Sequence, residues 1–515
     1  MGTRGMTRVM NWPALAGIGL LSALGTSGCS DKADAEPAVT VGERPVLEQH
    51  LEQADLVSGK VSFEEMFDAG AKLFAAKCTK LDGQGRPGAT GDGKPTQRVI
   101  GSAPEFLRTS GPDSNSCAGC HNEPRAGGGG DFVANVFVLA QVKDPVTFDV
   151  REANERNTLG MMGSGAIEAL GREMTADLQA LRAQAIEQAQ TSGVATTVAL
   201  ETKGVNFGTL VARPDGSVDT SGVQGVDADL VIKPFHQKGV VRSVREFTVN
   251  AMNHHHGMEA VERFGKGQKD KQGNVIDTAD FDGDGVPDEL TVGDITALSM
   301  WQAMQNIPGQ VIPGEPARAS AALSGEQRFS EIGCDSCHRK ELVLNDPVFC
   351  EPYALNPPGT YSDQAQKVCA DLTHDGPGPR LVRQPDGSAV VRAFTDLKRH
   401  TICDAETPHY CNETLVQGGV PTDQFLTRKL WDVGNSAPYG HRGDLPTLTE
   451  SIVAHGGEGR AARDAFNALP ASQQAEIIEF LKSLQVLPEG AAALVVDNLG
   501  RPADKTDLGA RFGVN

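Results

Sequence analysis

Basic residues are scarce in this chain relative to acidic ones. Only 47 Lys and Arg stand against 67 Asp and Glu, a formal net charge of −20. That balance argues against nucleic acid and against anionic membrane surfaces as partners. It suits a basic or dipolar partner, although solubility alone accounts for it equally well. Long apolar runs are also lacking beyond the first thirty residues, so no later segment reads as a membrane-crossing helix. There is no internal repeat beyond one pentapeptide, and no low-complexity tract. What remains is ordinary for a soluble globular protein: 39% hydrophobic and 22% charged residues. A length of 515 residues buries a large core and normally makes more than one domain, and 59 glycines imply long irregular loops.

The first residues carry a compartment signal. Arg4 and Arg8 precede a short apolar stretch, Pro13 to Leu24, and Thr26-Ser27-Gly28 precede Cys29. The stretch is too short to span a bilayer and reads as an export signal. Small residues before a cysteine resemble a bacterial lipobox, with Thr26 where Leu is usual, so a lipid anchor at Cys29 is expected. The expected location is the periplasm or cell envelope, including the outer membrane as a lipoprotein. A polar tether follows from Ser30. Cysteine use agrees with export: Cys350, Cys369, Cys403 and Cys411 lie in polar loops where disulfides are expected, with connectivity left open. Cys78 reads as a small buried hydrophobe on a helix from Phe63 to Lys80.

The pentapeptide is Cys-x-x-Cys-His. It occurs as Cys117-Ala118-Gly119-Cys120-His121 and as Cys334-Asp335-Ser336-Cys337-His338. Ten cysteines and twelve histidines would produce on the order of 0.005 copies by chance. The spacing lets two thiols add to the vinyl groups of haem while the adjacent imidazole meets the iron. Zinc would need partner Cys or His pairs at short spacing, and neither copy has them. Two covalently bound haem c groups are therefore expected, which makes the chain a redox protein.

Further constellations surround the two motifs. Thr447-Leu448-Thr449-Glu450 has the form of a capping box, after which Leu448, Ile452 and His455 share a face and Gly456-Gly457 ends the helix. His455 is the expected second ligand of the second iron; a core histidine bonded to a carbonyl is the alternative. Asn253-His254-His255-His256 reads as a helix-end cluster or a source of one ligand. Met161-Met162 read as core or as a ligand. Glu168, after a Gly-rich turn, reads as an acid/base over the first iron or as an ordinary acid. Asp280, Asp282, Asp284 and Asp288 take alternating positions of an EF-hand-like loop with Gly285 at position six, so Ca2+ is expected there, although Thr291 replaces the usual twelfth Glu.

The run from Leu430 through Trp431-Asp432-Val433-Gly434-Asn435-Ser436-Ala437-Pro438-Tyr439-Gly440-His441-Arg442-Gly443, then Leu448 to Glu458, resembles the bacterial di-haem cytochrome c peroxidase superfamily. Phe394-Thr395-Asp396-Leu397 and His400 fit the same pattern. The resemblance is nearest to the branch of di-haem oxidoreductases also called thiol oxidoreductases. It covers about residues 320–487 and is patchier over 60–320, at Cys117–His121, Arg156, Gly163–Ala169 and Lys233–Gly265. It implies a six-coordinate relay haem at the C-terminal motif and a reactive haem at the N-terminal one. His455 stands where typical members have Met, which implies bis-His ligation and a lower potential. Residues 122–160 contain no His, so the removable ligand such peroxidases carry is missing from its usual place. Glu168 is placed over the first iron by this resemblance. Trp301 is a candidate relay or a core residue.

The expected fold is mainly α: two c-type cytochrome-like haem domains with long loop insertions and few short strands. The expected division is an export signal (1–29), a tether (30–60), an N-terminal haem domain (61–320), a C-terminal haem domain (321–490) and an extension (491–515). The leading functional reading is an exported di-haem oxidoreductase of peroxidase type, exchanging electrons with a small redox protein. A non-catalytic electron-transfer cytochrome is the alternative, and a haem-based sensor or structural partner is a third.

Overall fold

Helix pairs locked by glycine contacts frame both halves of the fold. The structure is a computed structural model and describes residues 41–85, 114–131, 133–135, 155–270, 273–412 and 416–512. The export signal, Cys29 and the first part of the expected tether, residues 30–40, lie outside the described residues, while its second part includes a short helix, Gln53–Val57. By contacts the chain divides into Met1–Arg44 and Pro45–Asn515, and all elements named below belong to the second unit. Among the described residues, no helix is long and apolar enough to cross a membrane.

Helix Phe63–Ala75 starts at a capping box, with Ser62 and Glu65 satisfying each other's backbone amides. It crosses helix Val292–Ala303 at Gly70, where a Cβ would stand 2.2 Å from the Ala297 carbonyl oxygen. Only glycine permits that approach. The helix ends at Ala75, short of Cys78, which lies buried in the following segment and bonds the Asn115 carbonyl through its amide. In the second half, helix Pro316–Glu331 packs on helix Ala471–Ser483 by the same device: a Cβ on Gly325 would stand 1.9 Å from the Glu476 carbonyl oxygen.

The fold is a mixture of helix and sheet rather than mainly α. Six small sheets occur among the described residues. Thr196–Thr202, Val205–Ala212 and Val218–Asp219 form an antiparallel sheet. Alternating burial along Val205–Ala212 puts Phe207, Leu210 and Ala212 into the core beneath helix Ser164–Ser192. Val348–Glu351 pairs with Val368–Asp371, and the opposed Cys350 and Cys369 join in a disulfide. Cys403 and Cys411 form the second disulfide. Gly309–Ile312 lies between Leu484–Gln485 and Val495–Asp497, so part of the C-terminal extension completes a sheet. The helical stretch that begins at Val244 is interrupted. It runs from Val244 to Ala251, widens into a π turn over Met252–His256, and resumes only at Val261–Phe264.

Candidate haem centres

The second motif follows helix Pro316–Glu331, with Gly333 at φ 83° turning the chain into a tight turn over Cys334–Ser336. That turn brings the amide of His338 to the Cys334 carbonyl at 3.0 Å. The imidazole Nδ1 lies 3.1 Å from the Phe394 carbonyl oxygen. Phe394 adopts φ 56°, a left-handed backbone rare for a bulky residue. Phe329, Phe394 and Phe480 pack edge to face at 5.5 to 6.2 Å, and Phe329 stands 6.3 Å from the His338 ring. The carbonyl and the aromatic cluster together fix the ring's rotation and tautomer: Nδ1–H donates, leaving the Nε2 lone pair for a metal.

His455 lies just beyond helix Leu448–Val453, which begins at the expected capping box of Thr447 and Glu450. Its Nδ1 bonds the Ser451 carbonyl at 2.7 Å, and Tyr410 stacks edge-on at 5.8 Å. His338 and His455 line one cavity of about 450 Å3, whose other walls include Cys334, Cys337, Leu448 and Ile452. Burial, followed by the neighbouring His455, pushes His338 down to about 4; burial likewise lowers His455. Both rings are thus neutral near pH 7, the form that ligates iron. The volume falls within the range of small-molecule and cofactor sites. Two neutral imidazoles, an attachment pair and an apolar wall fit a haem.

The first motif has the same local build. Ser116 caps the turn Cys117–Gly119, its hydroxyl accepting from Gly119 at 3.1 Å. His121 Nδ1 lies 3.0 Å from the Leu159 carbonyl oxygen, and Phe74 lies 6.3 Å from the ring. Burial pushes His121 down to about 4. Neither disulfide involves Cys117, Cys120, Cys334 or Cys337. The described cavity beside His121 is smaller, about 70 Å3, with Met161, Ile167, Val244 and Phe247 among its walls. The fit to a haem here is carried by the thiol pair and the imidazole's orientation rather than by volume. His256, one of the three adjacent histidines, donates from Nδ1 to the Ser114 carbonyl at 2.6 Å and brings Nε2 to 3.6 Å from the Cys117 sulfur. It thus lies beside the attachment cysteine, and the adjacent His255 is close enough to His121 to help lower it.

The two cavities share a wall. Leu159, Gly160, Leu426, Thr427, Arg428 and Lys429 line both. Trp301 packs on Phe74 at 4.3 Å and on Phe67 at 6.4 Å, within the core beside the first motif.

Glu168 is fully buried in helix Ser164–Ser192 but is not among the residues lining either cavity. Its carboxylate accepts from Arg172 Nε at 2.9 Å and from the Val244 amide at 2.7 Å. Asp280, Asp282 and Asp284 bring one carboxylate oxygen each within 4.8 Å of one another, whereas Asp288 stands outside that group. Asp282 also meets Glu259 and Glu289, a second trio not legible from the loop's spacing. Burial, reinforced by Glu259, Asp282 and Asp284, pushes Glu289 up to about 10, against the pull of the Glu259 amide.

Sequence reasoning did not single out His236. It lines the same cavity as His121, in a tight turn bridged by Phe235 and Val241. Burial, with Arg156, Arg428 and Lys238 nearby, pushes it down to about 3. The only sequence signal was that it falls within Lys233–Gly265.

Comparison with known proteins supports this chemistry. No curated protein matches the chain. Among solved structures, the hydrazine synthase of Kuenenia stuttgartiensis pressurised with 20 bar xenon aligns at 16% identity with a TM-score of 0.22. That alignment covers 38% of this chain and 56% of the other, so this chain spans just over half the length of its neighbour. Residues 387–484, which contain Phe394, the Leu426–Lys429 part of the shared wall and His455, match the family described as "Di-haem oxidoreductase, putative peroxidase", and over that segment the resemblance to the di-haem oxidoreductases is established.

Proposed function

We propose that the chain is an exported di-haem c-type oxidoreductase of peroxidase type. The observation that carries this reading is the wall of six residues common to both cavities. Two haems held against one wall of side chains and backbone would be placed to exchange electrons without a diffusing carrier. When bound, the haems supply one-electron iron couples. The chain supplies the rest. Cys117 and Cys120, and Cys334 and Cys337, would hold the groups by thioether bonds. The carbonyls of Leu159 and Phe394 orient His121 and His338. The Ser451 carbonyl orients His455, which would hold the iron at the C-terminal site together with His338.

In this reading the His338/His455 site accepts electrons from a small redox protein, and the His121 site is where peroxide or a similar small substrate reacts. The net charge of −20 suits a basic or dipolar partner surface. An export signal, an anchor at Cys29 and a bound Ca2+ belong to the same proposal. The test is the intact mass after acid–acetone extraction, combined with the ferric spectrum. Two retained haem additions, one low-spin and one ligand-accepting, support the reading. Loss of haem on extraction would sink it. Two low-spin irons that ignore peroxide, cyanide and azide even after half-reduction would assign the chain as an electron-transfer cytochrome instead.

A further inference from the structure

We propose that the Cys350–Cys369 disulfide is a redox-controlled staple, opened by an external dithiol, that holds the strap of residues 352–367 on the start of helix Val244–Ala251. The inference does not depend on bound haem. It begins with strand register. Cys350 and Cys369 face each other across the antiparallel pair Val348–Glu351 and Val368–Asp371, a sheet of these two strands alone. Phe349, Glu351 and Ala370 point into the core, and the period of two turns the intervening cysteines to the outer side. Cys369 is exposed. In the other disulfide, Cys403 is only 3% exposed. Thiol–disulfide exchange needs access to the attacked sulfur. The first staple offers such a sulfur at the surface, and the second buries one of its pair.

A two-stranded sheet is marginal without a further constraint. The strap it closes brings little core of its own: Leu355 is 40% exposed, and residues 362–365 are exposed. Polar bonds seat it instead. Arg242 donates to the Leu355 carbonyl at 2.9 Å, the Ser243 hydroxyl to Asn356 Oδ1 at 2.6 Å, and the Tyr361 amide to Glu262 at 3.1 Å. Ser243 is also the cap of helix Val244–Ala251, where its hydroxyl accepts from the Glu246 amide at 3.0 Å. A second link starts at the staple. The Cys350 carbonyl accepts from Arg172 at 2.5 Å. That guanidinium stacks on Phe349 and on Tyr353 of the strap, at 4.8 and 4.5 Å, and donates to Glu168 at 2.9 Å. Glu168 in turn accepts the Val244 amide. Both links end on the first turn of a helix whose Val244 and Phe247 line the cavity beside His121. Opening the staple therefore loosens that wall from the surface.

In the step itself, a thiolate of the reductant attacks the Cys369 sulfur, the S–S bond breaks, and Cys350 leaves as a thiolate. The reductant's second thiol attacks the mixed disulfide and releases Cys369. The reductant ends as a disulfide, two electrons enter the protein, and the two protons end on Cys350 and Cys369.

The experiment uses the full-length holoprotein, with dithiothreitol as the dithiol. Alkylation and peptide mass should show Cys350 and Cys369 freed at reductant levels that leave Cys403 and Cys411 joined. Hydrogen exchange should then rise about tenfold or more across residues 352–367 and over the start of helix Val244–Ala251, with helix Pro316–Glu331 unchanged. Oxidised glutathione should restore the protection. Cys350→Ser combined with Cys369→Ser should show the open pattern without reductant and no further response to it. If that variant fails to accumulate, the titration of the wild type decides alone. Reduction that loosens the strap but leaves exchange at Val244–Ala251 unchanged would make the staple a local brace and overturn the proposal. Reduction of Cys350–Cys369 only together with Cys403–Cys411, or only with global unfolding, would overturn it as well.

Discussion

His455 Nδ1 donates to the carbonyl oxygen of Ser451 across 2.7 Å. The ring is therefore pinned by its own preceding turn, and its Nε2 is committed to the cavity it shares with His338. Removing it should expose one iron only. His455→Ala should turn one low-spin ferric signal high-spin in electron paramagnetic resonance and leave the other signal unchanged. His455→Met should raise the potential of that haem, because a thioether ligand favours the ferrous state more than imidazole does. An unaltered spectrum in the alanine variant would remove His455 from the ligand set.

Glu168 carries a structural load. Its carboxylate holds Arg172 and the first amide of helix Val244–Ala251. Glu168→Ala takes the nearest carboxylate from Arg172, which keeps the Cys350 carbonyl and Glu351, and takes the acceptor from the buried Val244 amide. Breaking such a buried pair costs about 3–5 kcal/mol. Denaturant unfolding of the holoprotein should show that loss. A stable Glu168→Ala protein with slowed peroxide turnover would return Glu168 to the acid/base role.

Glu351 should make stability depend on pH. Glu168, Glu262 and Glu351, all buried, gather around only two guanidinium groups, those of Arg172 and Arg245. Burial raises Glu351, and Glu168 and Glu262 add to the effect against Arg245 and Arg172. A carboxyl group raised in the folded state keeps a proton that the unfolded chain has lost. Its stabilising contribution is complete below the ordinary carboxylate range and is lost as pH rises through the raised value. Stability measured from about pH 5 to about pH 9 should fall with a slope of up to about 1.4 kcal/mol per pH unit. Glu351→Gln, uncharged throughout, should flatten that slope. An identical slope in the variant would mean that Glu351 stays ionised.

The acidic loop should bind Ca2+ through Asp282 above all, because that residue belongs to both carboxylate trios. Calorimetry on chelator-stripped protein should show one site in the wild type. Asp282→Ala should weaken it about tenfold or more, whereas Asp288→Ala should have little effect. Equal binding by both variants and wild type would place the cation elsewhere or remove it.

Much of the redox assignment was legible in the chain because it rests on local spacing. Two thiols and an imidazole in five residues form a pattern independent of the surrounding fold, so the proposed attachment sites Cys117–His121 and Cys334–His338 could be read directly. The capping box at Thr447 and the Gly456-Gly457 stop are equally local, and they located His455. Cys350, Cys369, Cys403 and Cys411 were marked for disulfides, but strand register and loop closure decided which sulfurs met. The mixed helix and sheet content escaped the sequence because most strands are two to four residues long, too short to set a period.

Tertiary contacts decided the remainder. Glu168, after a Gly-rich turn, reads from the sequence as an acid/base or an ordinary acid, and in the fold Arg172 and the start of a helix about 75 residues later bond its two oxygens. His236 carried no motif, since its position beside His121 depends on a left-handed backbone angle and on Lys238 being anchored by carbonyls some 180 residues away. Covalent chemistry and capping act between residues a few positions apart and are written in the sequence. The direction in which a buried side chain points is set by whatever packs against it, and that exists only once the chain has folded.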